Sequence, residues 1–211
     1  MTLNTVRSLV LVGLMLLAVV PGSAGLIPFD VSVDTTSVAG TSGAVYLQFN
    51  PGADSAPASL SITGFNIDGL GVPASSPALV TDGNVTGSLD APPLVIVNDP
   101  GLNDYLHYLT FGYGITFRAT FNLPDNLSGH ASGSTFSFGL TAEDGLTPLL
   151  TSDPNGFIGQ IGYDETGAFT TTVLSGAGSI TNVIPEPTSL TLVGLGLAAG
   201  FALFVRLRFR Q

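Results

Sequence analysis

The residues that could carry chemistry are few and stand in short polar clusters. Two adjacent acidic pairs, Glu143-Asp144 and Asp164-Glu165, have the residue types that a glycosidase uses as acid and base. Both pairs occur in turn-like sequence, and neighbours on a strand point to opposite faces of its sheet. We therefore predict solvated turns at both places. A hydrolase would require two carboxylates to meet in a cleft across the fold.

The two histidines stand in unrelated surroundings. His107 belongs to the aromatic run 105–108, which is typical of a strand, and His130 follows a Ser-Gly pair in a polar loop. Two isolated histidines do not supply the ligand set of a zinc site, so we predict packing or surface roles for both. The sequence also lacks the metalloprotease, serine-hydrolase and Walker motifs. It therefore predicts a protein that is not an enzyme and holds no cofactor.

Calcium is the one ligand that the polar clusters suggest. One group surrounds a Pro-Gly turn and consists of Asn98, Asp99, Asn103 and Asp104. Asp153 and Asn155 form a second group. Carboxylate and amide oxygens on loops suit Ca²⁺, although neither group has the spacing of an EF-hand. Asp and Asn also form turns without any ion. The sequence leaves calcium binding and simple turn formation open.

Acidic residues dominate the stretch from Gly25 to Ile184, which holds fourteen of them against one basic residue, Arg118. Nucleic-acid binding needs Lys and Arg to neutralise phosphates, so this balance argues against a nucleic-acid partner. Cysteine is absent, which excludes disulfides and thiol chemistry. For Arg118 we predict an ion pair with a carboxylate on a neighbouring strand, with a ligand anchor as the alternative.

Alternating runs of apolar and polar residues must position these side chains. The run 115–122 alternates strictly, which predicts a half-buried strand. Similar runs lie at 45–49, 136–140 and 169–173. The apolar parity changes around Gly64, which predicts a β-bulge.

Turn signals separate nine to eleven such runs, as at Asn50-Pro51-Gly52, at Asp82-Gly83-Asn84 and at 153–156. Residues 71–83 are rich in Pro, Ser and Ala and predict a long loop. The pattern predicts an all-β protein with a single β-sandwich or jelly-roll-like ectodomain over residues 25–184.

Residues 1–24 have the composition of a signal peptide. Arg7 supplies the positive charge, Ser8 to Val20 form the apolar core, and small residues precede a cleavage site between Ala24 and Gly25. We expect signal peptidase to act there. A permanent N-terminal anchor is the alternative, but the apolar run is short for a membrane span.

A second apolar segment, residues 189–205, has seventeen residues without a charge. As a helix it would extend roughly 25 Å, which is at the short end for a transmembrane helix. Arg206, Arg208 and Arg210 follow it. Arginines beside a span stay on the cytoplasmic side, so we predict that the ectodomain lies outside the cytoplasm.

Pro185, Glu186 and Pro187 stand just before this apolar segment, and the two prolines favour an extended chain. The order of Pro-Glu-Pro, apolar span and arginine cluster resembles the PEP-CTERM sorting signal. The resemblance implies that residues 185–211 are a sorting tail processed by exosortase, a membrane-embedded enzyme. Pro185, Glu186, Pro187, Arg206, Arg208 and Arg210 would then be recognition elements. An ordinary anchor with a chance Pro-Glu-Pro is the alternative.

The ectodomain also resembles a recurring but uncharacterised family of PEP-CTERM ectodomains. The segments that carry the resemblance are 33–43, 48–52, 102–105 and 109–112. It brings no known activity. We expect an exported protein, held transiently in the inner membrane and then placed at the cell surface or in the extracellular matrix, with a structural or interaction role. The alternative is a carbohydrate- or calcium-binding module associated with exopolysaccharide. Exposed aromatic residues on one sheet face would favour carbohydrate binding, and Tyr105, Tyr108 and Tyr113 are the candidates, although such residues more often pack in a core.

Overall fold

The alternating runs fold into strands of two facing antiparallel sheets. A computed structural model describes residues 25–69, 71–73, 80–98 and 101–183 of the chain. The strands are β1 (Leu26–Asp34), β2 (Ser42–Pro51), β3 (Ser59–Asp68), β4 (Val72–Pro73), β5 (Val80–Asp82), β6 (Val85–Thr86), β7 (Leu94–Val97), β8 (Asp104–Thr110), β9 (Gly114–Asn122), β10 (Ser134–Ala142), β11 (Pro148–Leu149), β12 (Phe157–Tyr163), β13 (Phe169–Val173) and β14 (Gly178–Asn182). A single 3-10 turn, Thr36–Val38, lies between β1 and β2.

The first sheet has the strand order β14-β1-β9-β3-β7-β6. The second sheet has the order β13-β12-β10-β2-β8-β4, with β11 paired to β10 and β5 paired to β8. All of these strand pairs are antiparallel. The architecture is that of a β-sandwich, as the sequence predicts.

Phenylalanine rings from both sheets form the centre of the core. Phe117 of β9 meets Phe136 and Phe138 of β10 edge to face, with ring centroids 6.3 and 5.8 Å apart. Phe121, two residues along β9, makes the same kind of contact with Phe49 of β2 at 5.7 Å. Complete burial of each such side chain contributes roughly 1.5–3 kcal/mol, and the edge-to-face geometry adds to this. The alternation at 115–122 therefore builds one wall of the core.

The predicted bulge lies in β3. Pairing with β9 shifts register between Thr63 and Asn66, and Gly64 has a φ of 62°. A residue with a Cβ is strained in that left-handed conformation, which is why glycine suits the position. Because of the bulge, the apolar residues before and after Gly64 all face the core, although they have opposite parity in the sequence.

Within the described ranges the fold has fourteen strands, more than the nine to eleven predicted, and ten of them have four or more residues. The four short strands escaped the sequence pattern. Two of them, β4 and β5, lie in the stretch 71–83, for which a long loop is predicted. Both pair with the outer edge of β8, so the ends of this stretch extend the second sheet.

No helix in the described part of the chain is long and apolar enough to cross a membrane. The predicted signal segment, residues 1–24, and the predicted span, residues 189–205, lie outside the described residues.

Candidate functional site

A groove of about 450 Å³ lies on the outer face of the second sheet. We call it the second-sheet groove. It is lined by Tyr46, Val80, Asp82, Asp104, Leu106, Thr141, Gly145, Leu146, Pro148, Asn155 and Gly156. These residues come from β2, β5, β8, β10 and the segment that joins β10 to β12. The register of the sheet therefore gathers side chains that are far apart in sequence.

Asp104 is held in place by two donors on β2. The Tyr46 hydroxyl donates to its Oδ2 at 2.9 Å, and the Gln48 amide donates to its Oδ1 at 2.8 Å. Burial, reinforced by the hydrogen bond to this carboxylate, raises the pKa of Tyr46 well above its ordinary value. The Tyr46 ring stacks on Phe157 with centroids 5.9 Å apart. Tyr46 is thus a fixed, protonated donor in the groove.

Asp82 of β5 lies directly opposite Asp104 of β8 in the strand register. Side chains at opposed positions of an antiparallel pair project from the same face, with Cβ atoms roughly 5 Å apart. Like charges in that position repel each other and destabilise the pair. The groove therefore contains two carboxylates whose charges are not balanced by any cationic side chain in its lining.

Thr141 of β10 contributes a hydroxyl that is buried without a hydrogen-bond partner among the described residues. The residue is only 7% exposed and lines the same groove. A buried polar group without a partner carries a desolvation cost of about 1–3 kcal/mol. Such a group in a groove wall is suited to bind a ligand that supplies the missing hydrogen bond.

The turn after β10 forms the rim of the groove. Asp144 accepts hydrogen bonds from the backbone amides of Leu146 and Thr147, at 2.9 and 2.8 Å. Hydrogen bonding from Thr147 lowers the pKa of Asp144. The turn holds Leu146 in the open, with 83% of its surface exposed. Asp144 therefore has a structural role, as predicted from its turn-like sequence.

The second acidic pair also forms a turn. Asp164 accepts from the backbone amides of Thr166 and Ala168, at 2.8 and 3.0 Å, between β12 and β13. Hydrogen bonding from Thr166 lowers the pKa of Asp164. Neither pair of adjacent acids reaches the groove; the two carboxylates that do meet there are Asp82 and Asp104.

His107 lies in the interior, completely buried on the core side of β8. Its Nδ1 is 3.0 Å from the Tyr105 hydroxyl, which itself accepts from the Leu89 amide. Its Nε2 is 3.4 Å from Asp90 Oδ2. Because the Asp90 carboxylate that faces Nε2 can only accept a hydrogen bond, the neutral ring holds its proton on Nε2, and Nδ1 accepts from the Tyr105 hydroxyl. The ring is enclosed and packs the core.

His130 is the surface counterpart of His107. Its Nδ1 is 3.4 Å from Asp54 Oδ1, the same separation as in the buried pair, but its side chain is 33% exposed. The structure thus separates the two histidines into one packing role and one partly exposed role.

The predicted calcium ligands are only partly brought together. Asn103 is buried, and its backbone amide and side-chain amide bond Asn50 and the Phe49 carbonyl. Asp153 accepts from the amides of Asn155 and Phe157 in a turn. Asp104 and Asn155 do line one groove. Asp99 lies outside the described residues.

Among the described residues, no group of three or more His, Asp or Glu side chains is placed to hold a metal ion. Asp82, which completes the acidic pair with Asp104, is absent from the predicted set. The sequence signal at Asp82 is an Asp-Gly-Asn turn, which gives no indication of the strand pairing that precedes it.

Arg118 forms the predicted ion pair. Its Nε and one terminal nitrogen donate to the two carboxylate oxygens of Asp30 at 2.7 and 3.0 Å. The two residues are direct register partners on β9 and β1. Hydrogen bonding to Arg118 lowers the pKa of Asp30. They lie in a groove of about 470 Å³ on the outer face of the first sheet, the first-sheet groove, whose other lining residues include Ser32, Thr63, Thr116, Ser179 and Thr181.

The predicted cleavage and sorting positions fall mainly outside the described residues: Ala24, Pro185, Glu186, Pro187, Arg206, Arg208 and Arg210. Gly25 is described and exposed. At the other end of the fold, the Val183 amide donates to the Pro28 carbonyl at 3.0 Å. The folded domain therefore extends to Val183, on the edge of the first sheet beside the start of β1.

A family model described as the PEP-CTERM protein-sorting motif matches residues 183–208. The chain carries a PEP-CTERM sorting motif. The match includes Pro185, Glu186, Pro187, Arg206 and Arg208, and Arg210 lies two residues beyond it. Searches of curated proteins and of solved structures find no match.

The match to the PEP-CTERM motif begins at Val183, the last residue that the structure describes on this side of the sandwich. The motif implies export and processing by exosortase.

Proposed function

We propose that this protein is a non-catalytic component of the cell surface or extracellular matrix, delivered by exosortase processing of its PEP-CTERM tail. The main support for this proposal is the match to the sorting motif at residues 183–208, which adjoins a folded β-sandwich. The sandwich is the part that remains outside the cytoplasm and interacts there.

The segments that flank the sandwich have defined tasks in this proposal. Signal peptidase removes residues 1–24 after export and leaves Gly25 at the start of the ectodomain. Residues 189–205 hold the protein in the inner membrane, with Arg206, Arg208 and Arg210 on the cytoplasmic side. Exosortase then acts near Pro185-Glu186-Pro187 and ends the membrane attachment.

The side chains of the sandwich support a role without catalysis. His107 is enclosed in the core, where no substrate reaches it. Asp144 and Asp164 use their carboxylates to order turns. A glycosidase acid lies in an apolar pocket that favours its protonated form. Asp82 instead lies exposed on the short edge strand β5.

Cells with and without exosortase provide the test of the sorting proposal. The intact mass and the location of the protein are measured in both strains. We expect a shorter protein at the surface or in the medium when exosortase is present. We expect the protein to keep its tail and to stay in the inner membrane when exosortase is absent.

The matched variants are Glu186→Gln in the motif and Glu143→Gln in the exposed turn after β10. Both remove one carboxylate charge. We expect only Glu186→Gln to reduce processing, because Glu143 lies outside the motif match. Equal mass and equal membrane retention in both strains would refute sorting by exosortase.

The second candidate is a carbohydrate- or calcium-binding module associated with exopolysaccharide. The observation that favours it is the second-sheet groove, where Asp82, Asp104 and Asn155 present oxygen atoms beside Tyr46. This candidate is compatible with exosortase delivery, since it concerns only what the ectodomain contacts after export.

A further inference from the structure

The second-sheet groove contains one buried hydrogen-bonding group without a partner and two carboxylates whose like charges face each other. The Thr141 hydroxyl is buried in the groove wall and has no partner among the described residues. Asp82 and Asp104 face each other across β5 and β8 without a cation in the groove lining. A ligand that donates hydrogen bonds to the carboxylates would reduce their repulsion, and its oxygen atoms could accept from Thr141.

The rim of the same groove is apolar. Leu146 is 83% exposed and Val80 is 54% exposed, so both rank among the exposed large apolar residues of the described chain. Leu146 is held in this position by the hydrogen bonds that Asp144 makes to the turn. An ordered apolar rim around a polar floor suits a ligand with both an apolar face and many hydroxyl groups.

We propose that the second-sheet groove binds an uncharged saccharide. Sugar hydroxyls donate to the carboxylates of Asp82 and Asp104 and exchange hydrogen bonds with Asn155 and Thr141. The C–H face of the ring packs against Leu146. The groove volume of about 450 Å³ lies within the range of roughly 300–1,000 Å³ that is usual for small-molecule sites. The inference rests on the proposed non-catalytic ectodomain and names its ligand class.

The charge of the groove selects among ligands. Two carboxylates repel acidic polymers such as uronates, so the ligand is neutral. A divalent cation fits the groove less well. Its only charged ligands would be Asp82 and Asp104, and no larger cluster is placed around them in the described residues. Binding of an ion alone would also not explain why the exposed, apolar Leu146 lies at the rim.

The test is isothermal titration calorimetry on the full chain, purified in a detergent without a sugar headgroup. The probes are the neutral tetrasaccharides cellotetraose, laminaritetraose, maltotetraose and mannotetraose. Tetragalacturonate is the charge control, and CaCl₂ is the cation control. We expect binding of at least one neutral probe and no measurable binding of tetragalacturonate.

Two variants test the assignment to this groove. Thr141→Val removes the hydroxyl at nearly constant shape, and we expect it to weaken binding roughly two- to tenfold. Leu146→Ser removes the apolar rim and should weaken binding by a similar factor. The matched controls are Thr116→Val on the outer face of the first sheet and Leu102→Ser at another exposed position, and neither should change affinity.

Absence of binding by all four neutral probes would overturn the proposal, as would equal affinity in Thr141→Val, Leu146→Ser and the wild-type protein. Heat with CaCl₂ but not with saccharide would assign the groove to a cation instead. Mass spectrometry of the probes after incubation separates this inference from the proposed function. Cleaved probe would refute the non-catalytic role, whereas intact probe without binding would refute only the saccharide site.

Discussion

The outer faces of the two sheets carry grooves of nearly equal size, about 470 and 450 Å³, but their charges are arranged differently. In the first-sheet groove Asp30 lies directly opposite Arg118. In the second-sheet groove Asp82 lies directly opposite Asp104. The strand register is the same kind of antiparallel pairing in both places, and only the sign of one partner differs.

This difference separates a surface whose charges are paired from one whose charges are not. Arg118 donates to both oxygens of Asp30, so the pair satisfies its own charges. Asp104 accepts from Tyr46 and Gln48 but keeps a like charge opposite it. We infer that the charges of the first-sheet groove need no ligand to compensate them, whereas those of the second-sheet groove do.

Burial should determine the largest effect among the pairs that a carboxylate forms with a histidine or an arginine. His107 with Asp90 and His130 with Asp54 have the same 3.4 Å separation, but only His107 is buried. We expect His107→Ala to lower the free energy of unfolding by about 2–4 kcal/mol, because it leaves a cavity and deprives Tyr105 of its acceptor. Urea unfolding followed by circular dichroism measures this.

His130→Ala is the control for that substitution, with an expected change within about 0.5 kcal/mol. Similar losses in the two variants would mean that the distance between histidine and carboxylate, and not burial, determines the contribution to stability. Outer-face pairs such as Asp30–Arg118 would then matter more to stability than we infer.

The buried pair also predicts a pH dependence. Burial lowers the pKa of His107 below its ordinary value of 6.5, and Asp90 opposes this shift only in part. As the pH falls below 6.5, the unfolded chain takes up a proton at His107 before the native protein does. Stability should therefore be complete above that pH and decline below it.

Unfolding midpoints of the wild-type protein and of His107→Gln at pH 7.5 and 5.5 test this dependence. We expect a smaller decline in the variant, because it lacks the buried imidazole whose pKa is lowered. Parallel declines would exclude His107 as the source.

The acidic pair in the second-sheet groove should show a smaller effect of the opposite sign. Asp82→Asn removes the like charge facing Asp104, and we expect a gain of a few tenths of a kcal/mol. Added salt should stabilise the wild-type protein more than the variant, because ions screen the repulsion. Asp125→Asn, which changes the net charge equally on an exposed loop, is the control. A loss of stability in Asp82→Asn would show that the two carboxylates do not repel each other.

The sequence was sufficient for features that depend on local periodicity. The alternation at 115–122 predicts which side of β9 faces the core, and the parity change predicts the bulge at Gly64. On β8 the same method could not choose a face. The side of β8 that holds Tyr105 and His107 and the side that holds the outward Tyr108 each contain aromatic, aliphatic and polar residues. The burial of His107 is decided by the opposite sheet and not by β8 itself.

The groove could not be predicted because it depends on strand register. Asp104 and Asn155 are 51 positions apart, and the sequence assigned them to separate clusters. Neighbours on a strand face opposite ways, so the cluster of Asn103 with Asp104 separates into a buried and an outward residue. Asp82 precedes a correctly predicted turn, in which Gly83 has a φ of 77°. Its pairing with Asp104 follows only from the position of β5 along β8.

The smallest effect is expected at the first-sheet pair. Both partners are about half exposed, and exposed ion pairs contribute little because water and salt screen them. Arg118→Gln should therefore lower stability only slightly, and less at high salt.

Asp30 has a lowered pKa, so its contribution to stability is present above the ordinary value of 3.8 and is lost as the pH falls through the lower native value. Wild-type and variant unfolding midpoints should thus converge in acid. Midpoints that stay separated there would mean that Arg118 acts through packing on its neighbours. A saccharide affinity that changed with Arg118→Gln would show that the two outer faces are not independent.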